Sequence, residues 1–334
     1  MNSGVARNSI KILVSVTLSL LAGYMAFRGV HLKELLASLR QVDLMGVVLI
    51  MILIVTAQMV RSLRWGLLLE PIEPLSQRLL LPITCIGFLF IWILPARLGE
   101  VARPYLLGQN SEVGLSAAVG SIVLERLIDA GVLVILMGIC LPAVQLPGWV
   151  LSSLQAFFFV LIACGLLLLL GAISRFQGMF LQILSRVAPE ALVKFVERLF
   201  ETFYTGMQAV ASVRRLLSIV ILSLVIWGVT AIAYMVLFGS MGLQLGWLAA
   251  VTVLVLTCVG ISLPSAPGFI GNFHYACMVA LTLFGVVKET ALAFAILAHF
   301  LTLAVLVLMG VYCLNMSKLK VGFSLKRQEL AGEE

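Results

Sequence analysis

Runs of apolar residues as long as a bilayer is thick follow one another through this chain. They constrain its folding more than any single residue does. Leu44–Leu69 is the clearest of them. A helix needs about 20 such residues to cross the hydrocarbon, and in lipid every backbone polar group must be satisfied within its own segment. The runs are continuous, whereas a transmembrane β-barrel shows short alternating segments. Charged residues make up only 11% of the 334, against about 25% in soluble domains, too few to cover a water-soluble globule of this size. The fold class is therefore an all-α polytopic membrane protein, a single integral membrane domain over 1–334. The start could pass for a signal peptide but lacks a small-residue cleavage site, so residues 10–27 read as a retained first helix.

Two of the runs stop short at a proline. Residues 79–94 end at Pro95, and 247–263 end at Pro264. Proline removes a backbone donor and pushes the residue before it out of helix. Each break has the form Leu-Pro-x-x-x-Gly, with Gly99 in the first and Gly268 in the second. These segments are long enough to enter a bilayer and too short to cross it comfortably. They read as arms of re-entrant broken hairpins, with returns over 101–108 and 273–287. Six full spans remain, over 10–27, 44–69, 115–141, 152–173, 216–238 and 291–314. The halves 44–141 and 216–314 then form an inverted repeat with one hairpin entering from each face. Paired Pro/Gly-interrupted segments of this kind point to a transport site near the midplane.

The net charge of +7 has a membrane explanation rather than a nucleic-acid one. On the six-span count, 17 of the 22 Lys and Arg fall on the face bearing both termini and three (Arg28, Lys33, Arg40) on the other. Basic residues mark the cytoplasmic side, so both termini are expected in the cytoplasm of a plasma (inner) membrane. Treating the breaks as full crossings spoils that split. Arg61-Ser62-Leu63-Arg64-Trp65 at the end of the second span suits an interface, where Arg snorkels and Trp anchors. Residues 175–215 carry an apolar stripe (Leu192, Val196, Leu199, Phe203, Met207, Val210) and read as an amphipathic connector on the cytoplasmic surface. Residues 315–334 read as a basic tail. Six scattered cysteines and three histidines suggest no disulfide framework, no metal and no cofactor.

Charge inside the apolar part is scarce, so each instance is a candidate for function. Glu125, Arg126 and Asp129 lie near the middle of a span. Glu125 and Asp129 are four apart and share a helix face, and Arg126 can pair with Asp129. The cluster is one negative charge in excess and needs another cation, for which Arg97 and Arg103 are the candidates if the hairpin packs against this helix. It suits either an ion pair that locks the bundle or a transport role. Arg97, Glu100 and Arg103 sit at the first break, where a helix N-terminus and two arginines suit a phosphate; lipid phosphates at the cytoplasmic interface are the other reading. The second break offers Pro267, Gly268, Gly271, Asn272 and His274, with His299 in the last span. With Pro95, Gly99 and Pro264 these suit a gate or polar lining.

The ordered set Arg61-x-x-Arg64-Trp65, Pro95-x-Arg97-x-Gly99-Glu100-x-x-Arg103, Glu125-Arg126-Leu127-x-Asp129 and Pro264-x-x-Pro267-Gly268-x-x-Gly271 resembles the lysylphosphatidylglycerol synthase transmembrane-region family, also called flippase-like domain proteins. In one respect the chain departs from it: Asn272-Phe273-His274 stands where members often carry an acidic residue. In bifunctional members this domain translocates an aminoacylated phospholipid, and a soluble synthase domain follows it. The resemblance therefore implies a stand-alone flippase-like protein, moving a phospholipid, glycolipid or polyprenyl-phosphate-type lipid between leaflets. Its partners would be membrane lipids and enzymes of envelope-lipid synthesis, with no nucleic acid. No nucleophile–base pair, P-loop or HExxH is present, so no enzymatic activity is expected. A membrane-embedded lipid-modifying enzyme and a scaffold for an envelope-lipid complex are the alternatives.

Overall fold

The structure, a computed structural model, describes residues 16–320 except 41, 95–98, 141, 143, 145–147, 172, 173, 191, 195, 198, 199, 201–211, 264 and 318. The described elements are helices α1 (Val16–Phe27), α2 (Leu32–Arg40), α3 (Leu44–Leu69), α4 (Gln77–Ile93), α5 (Ala102–Asn110), α6 (Leu115–Cys140), α7 (Gly148–Gly171), α8 (Ser174–Val187), α9 (Val213–Ser240), α10 (Trp247–Ser262), α11 (Asn272–Thr282) and α12 (Lys288–Met316). No strand occurs among the described residues. Pro95, Arg97, Pro264, the 321–334 tail, and Leu199, Phe203, Met207 and Val210 of the connector stripe lie outside them.

Four helices are long and apolar enough to cross a membrane: α3, residues 150–167 of α7, α9 and α12. Helix α6 matches α3 in length at 26 residues, but its three charges set it apart. Large apolar side chains such as Leu44, Met45, Ile52, Phe159, Ile221 and Leu308 face outward. That surface suits lipid, since soluble monomers rarely expose apolar patches of such size. The protein is an integral membrane protein.

Both proline breaks end their helices as the residue before proline dictates. Leu94 (φ −82°, ψ 141°) and Leu263 (φ −69°, ψ 152°) are extended, the conformation that a following proline enforces. After the first break the chain turns back. A Cβ on Gly99 would lie 2.1 Å from the Ile91 nitrogen, and one on Gly87 would lie 2.2 Å from Arg103 Cγ, so α5 folds tightly onto α4. At the open end of this hairpin, Glu112 N–H donates to Glu73 Oε2 at 3.1 Å. After the second break, Pro267–Phe269 makes one 3₁₀ turn, with Gly268 at φ 71°. Helix α11 then packs back on α10, where Asn272 Nδ2 donates to the Gly260 carbonyl at 3.3 Å.

Helix α12 is 29 residues long, roughly 43 Å at 1.5 Å per residue, and it relates the two hairpins. The open end of α4–α5 lies at its C-terminal end, where Ser76, Asn110, Tyr312 and Met316 share a surface groove. The open end of α10–α11 lies at its N-terminal end, joined through the short turn at Gly285. The tips meet between these ends. Trp92 of α4 packs edge-on against Phe269 (5.3 Å between centroids) and tilts against His299 of α12 (5.1 Å).

Helix α1 sits on the second tip. Ser19 Oγ accepts from Ala266 N–H at 2.6 Å. A Cβ on Gly271 (φ 90°) would lie 2.1 Å from the Ser19 carbonyl oxygen, so both that φ and that contact require glycine. Lys288 Nζ donates to the Met25 carbonyl at 3.2 Å and the Arg28 carbonyl at 2.5 Å, placing a cation at the negative end of α1.

Candidate functional site

Helices α3, α5 and α6 bring four arginines and two carboxylates together in the interior. Two arginines hold Glu125 and Asp129 in fork geometry. Arg103 donates to Glu125 through both terminal nitrogens, at 3.0 and 3.1 Å. Arg64 binds both oxygens of Asp129 and donates to Ser223 of α9 at 2.7 Å. Arg64 also lies 3.3 Å from Glu125, so the two forks are linked. Arg64, Arg103 and Glu125 are each 1% exposed and Asp129 is 6%, a degree of burial that demands pairing of this kind. Trp227 Nε1 gives Asp129 a further donor at 3.2 Å. The Arg103 guanidinium lies 4.2 Å over the Trp65 ring, whose indole N–H donates to Ser121 at 3.0 Å.

The remaining two arginines face a cavity of about 200 Å³. Arg126 donates to Glu125 at 3.0 Å and leaves 42% of its side chain exposed; its buried Nε has no partner among the described residues. Arg61 makes no ion pair among the described residues. It donates to Gln58 at 2.8 Å and lies over Phe88 at 5.2 Å. Glu100 completes the charged end of the cavity, with Arg64, Glu125 and Asp129 in its wall. The rest of the lining is mostly apolar, with Ile50, Leu53, Ile54, Phe269, Phe273 and Leu306 among it, and carries Thr230, Thr257 and Thr302 as hydroxyls.

The structure thus places the expected residues in two groups. Glu100, Glu125, Arg126 and Asp129 share the cavity wall. Arg103 is absent from that wall and is held against Glu125, so it supplies the cation that the carboxylate excess of α6 demanded. Gly268, His274 and His299 gather at the second tip, with the His299 Nε2 2.5 Å from the Gly268 carbonyl. Pro267 opens the 3₁₀ turn there, and Gly271 carries the contact with α1.

One sequence expectation is corrected. Arg64 and Trp65 do not reach the surface to snorkel or anchor: Arg64 is 1% exposed and Trp65 is 0%. Helix α3 continues to Leu69, which leaves them more than a turn inside its end. Sequence reasoning therefore missed Arg61, Arg64 and Trp65 as site residues. A signal was present. Gln58, Arg61, Ser62 and Trp65 recur at three- and four-residue steps, a polar stripe that a lipid-facing helix would not carry.

Comparison with known proteins agrees with this architecture. Residues 10–310 match the family model described as the lysylphosphatidylglycerol synthase TM region. The chain is similar to a UPF0104 membrane protein of Methanothermobacter thermautotrophicus, at 22% identity over 83% of this chain and 87% of that protein. It is also similar to a UPF0104 membrane protein of Methanocaldococcus jannaschii, at 26% identity over 65% and 89%. No solved structure matches. Since the family model spans nine-tenths of the sequence, with the paired charges of α3, α5 and α6 inside the match, the chain belongs to the lysylphosphatidylglycerol synthase TM-region family.

Proposed function

We propose that this protein moves a lipid with an anionic phosphate headgroup between the leaflets of the inner membrane, without modifying it. The observation that carries the proposal is the division of the central cavity. One end bears Arg61, which makes no ion pair among the described residues, beside Glu100 and beside Arg126, whose Nε has no partner among those residues. The other walls are mostly apolar. A phosphate oxygen takes charge-assisted bonds from guanidinium, and acyl or prenyl chains take the apolar wall.

The proposed membrane arrangement follows from the same geometry. The two hairpins open at opposite ends of α12 and their tips meet beside His299, so each is read as re-entering from its own face, with six full spans around them. Removing the interior Arg61, Arg64 and Arg103 from the 17 basic residues leaves 14 on the terminus-bearing face. Lys288 joins Arg28, Lys33 and Arg40 at the opposite end. The bias still favours cytoplasmic termini.

The test is reconstitution in liposomes carrying headgroup-labelled phosphatidylglycerol, with leaflet exchange followed by quenching of the outer label. Arg61→Ala and Arg126→Ala are each expected to slow exchange about tenfold, the equivalent of one lost charge-assisted contact. Exchange that is unchanged in both variants refutes the headgroup assignment. A chemically altered lipid without exchange would instead favour an enzyme.

A further inference from the structure

We propose that His274 and His299 form a single-proton site that couples proton binding to closure of the two hairpin tips. The proposal rests on the translocation reading for its purpose, but the site has its own readout. The rings stand 4.8 Å apart between centroids and are 7% and 6% exposed. His299 Nε2 is already engaged with the Gly268 carbonyl at 2.5 Å, so in the neutral ring this nitrogen carries the proton and donates. His274 Nδ1 is buried with no partner among the described residues. A buried polar atom without a partner is uncommon and calls for an explanation.

The surroundings suit one added proton and not two. His299 lies 5.1 Å from the Trp92 ring and 5.4 Å from Phe273, and His274 lies 6.0 Å from Phe273. Aromatic faces at this range attract a cation, and the bond to Gly268 strengthens once its donor is charged. The titratable groups that bear on the pair are few. Helix α4 contributes Trp92 and the second break contributes Gly268 and Phe269, none of which titrates. The thiols Cys258 of α10 and Cys277 of α11 act on Tyr234 of α9. The carboxylates of the cavity act on its arginines. The electrostatic neighbour of His274 is His299 itself. Two imidazolium ions at 4.8 Å without a carboxylate would repel one another, so the pair holds a single charge.

Access links the proton to movement. Trp92, Phe269, Phe273 and Ala298 line the cavity, while neither imidazole does. The aromatic side chains of the two tips cover the pair, and a proton reaches it when the tips part. Once bound, the charge draws Trp92 of one tip and the Gly268 carbonyl of the other onto the same ring. Protonation thereby favours the closed tips, and deprotonation frees them.

Trp92 reports the event, because an imidazolium in contact quenches indole fluorescence. The pH titration is made on the purified full-length protein, and the Trp92 contribution is the difference from Trp92→Phe. The expected result is a single step as the pH falls. The step should be absent in His299→Gln, whose amide still donates to Gly268, and displaced in His274→Gln. A flat wild-type titration, or a step that persists unchanged in His299→Gln, overturns the proton site. In liposomes, a one-unit pH difference should change the initial exchange rate by up to about tenfold, and this sensitivity should vanish in His299→Gln. Exchange indifferent to the gradient overturns the coupling while leaving lipid transport intact. A Trp92 step without any exchange overturns lipid transport while leaving the proton site.

Discussion

Arg64 and Asp129 are 65 positions apart, and their bond shows what a residue-level reading needs from the fold. The charge of α6 was legible in the sequence: Glu125, Arg126 and Asp129 lie in one apolar run and are one cation short. Arg103 was legible as a candidate for that need alongside Arg97; the part taken by Arg64 was not, because only packing brings α3 to α6. Arg103 takes Glu125 and Arg64 takes Asp129, which leaves Arg61 to the cavity. Breaking a buried pair strands its partner, at a cost of about 3–5 kcal/mol. Arg103→Gln and Glu125→Gln should each destabilise the protein by that order in thermal unfolding in detergent. The double variant should cost less than the sum, by about 1–3 kcal/mol. Strict additivity would mean that the bidentate contact contributes nothing. His274 and His299 were each legible only as solitary residues, since 25 positions separate partners that α11 and α12 bring together.

At the scale of elements, sequence and structure agree closely, because the boundaries are set by local chemistry. Leu44–Leu69 is one helix from cap to end: Asp43 accepts from Gly46 N–H at 3.0 Å, and the chain then turns out at Glu70. The breaks at Leu94 and Leu263 follow from the prolines after them. The tightness of the hairpins was not readable, since it depends on close contact across the turn. Gly99→Ala places a methyl group against the α4 backbone at 2.1 Å, where no side-chain movement relieves it. It is expected to cost about 3 kcal/mol or more and to abolish lipid exchange with it. Gly114→Ala, where nothing lies within 4 Å of the new methyl, is the matched control and should change unfolding by less than about 0.5 kcal/mol. A Gly99→Ala protein as stable as that control would mean the first hairpin is looser than described.

At the scale of the whole molecule, the cavity lies between two hairpins that open at opposite ends of α12. A lipid passing through it must displace whatever fills it. Thr302→Trp, which adds a ring to the cavity wall, is expected to slow exchange at least about tenfold with the helical content unchanged by circular dichroism. Unimpaired exchange would place the lipid path elsewhere. The two halves match in their breaks but differ in what rests on them. Helix α1 lies on the second tip through Ser19, Gly23 and Gly271 and is tied to α12 by Lys288, whereas no such helix covers the first tip among the described residues. On the transport reading, parting the second tip would shed a seated helix, so the molecule would be a turnstile with unequal arms: the opening guarded by α1 is expected to be the slower one, even with lipid equal on both sides.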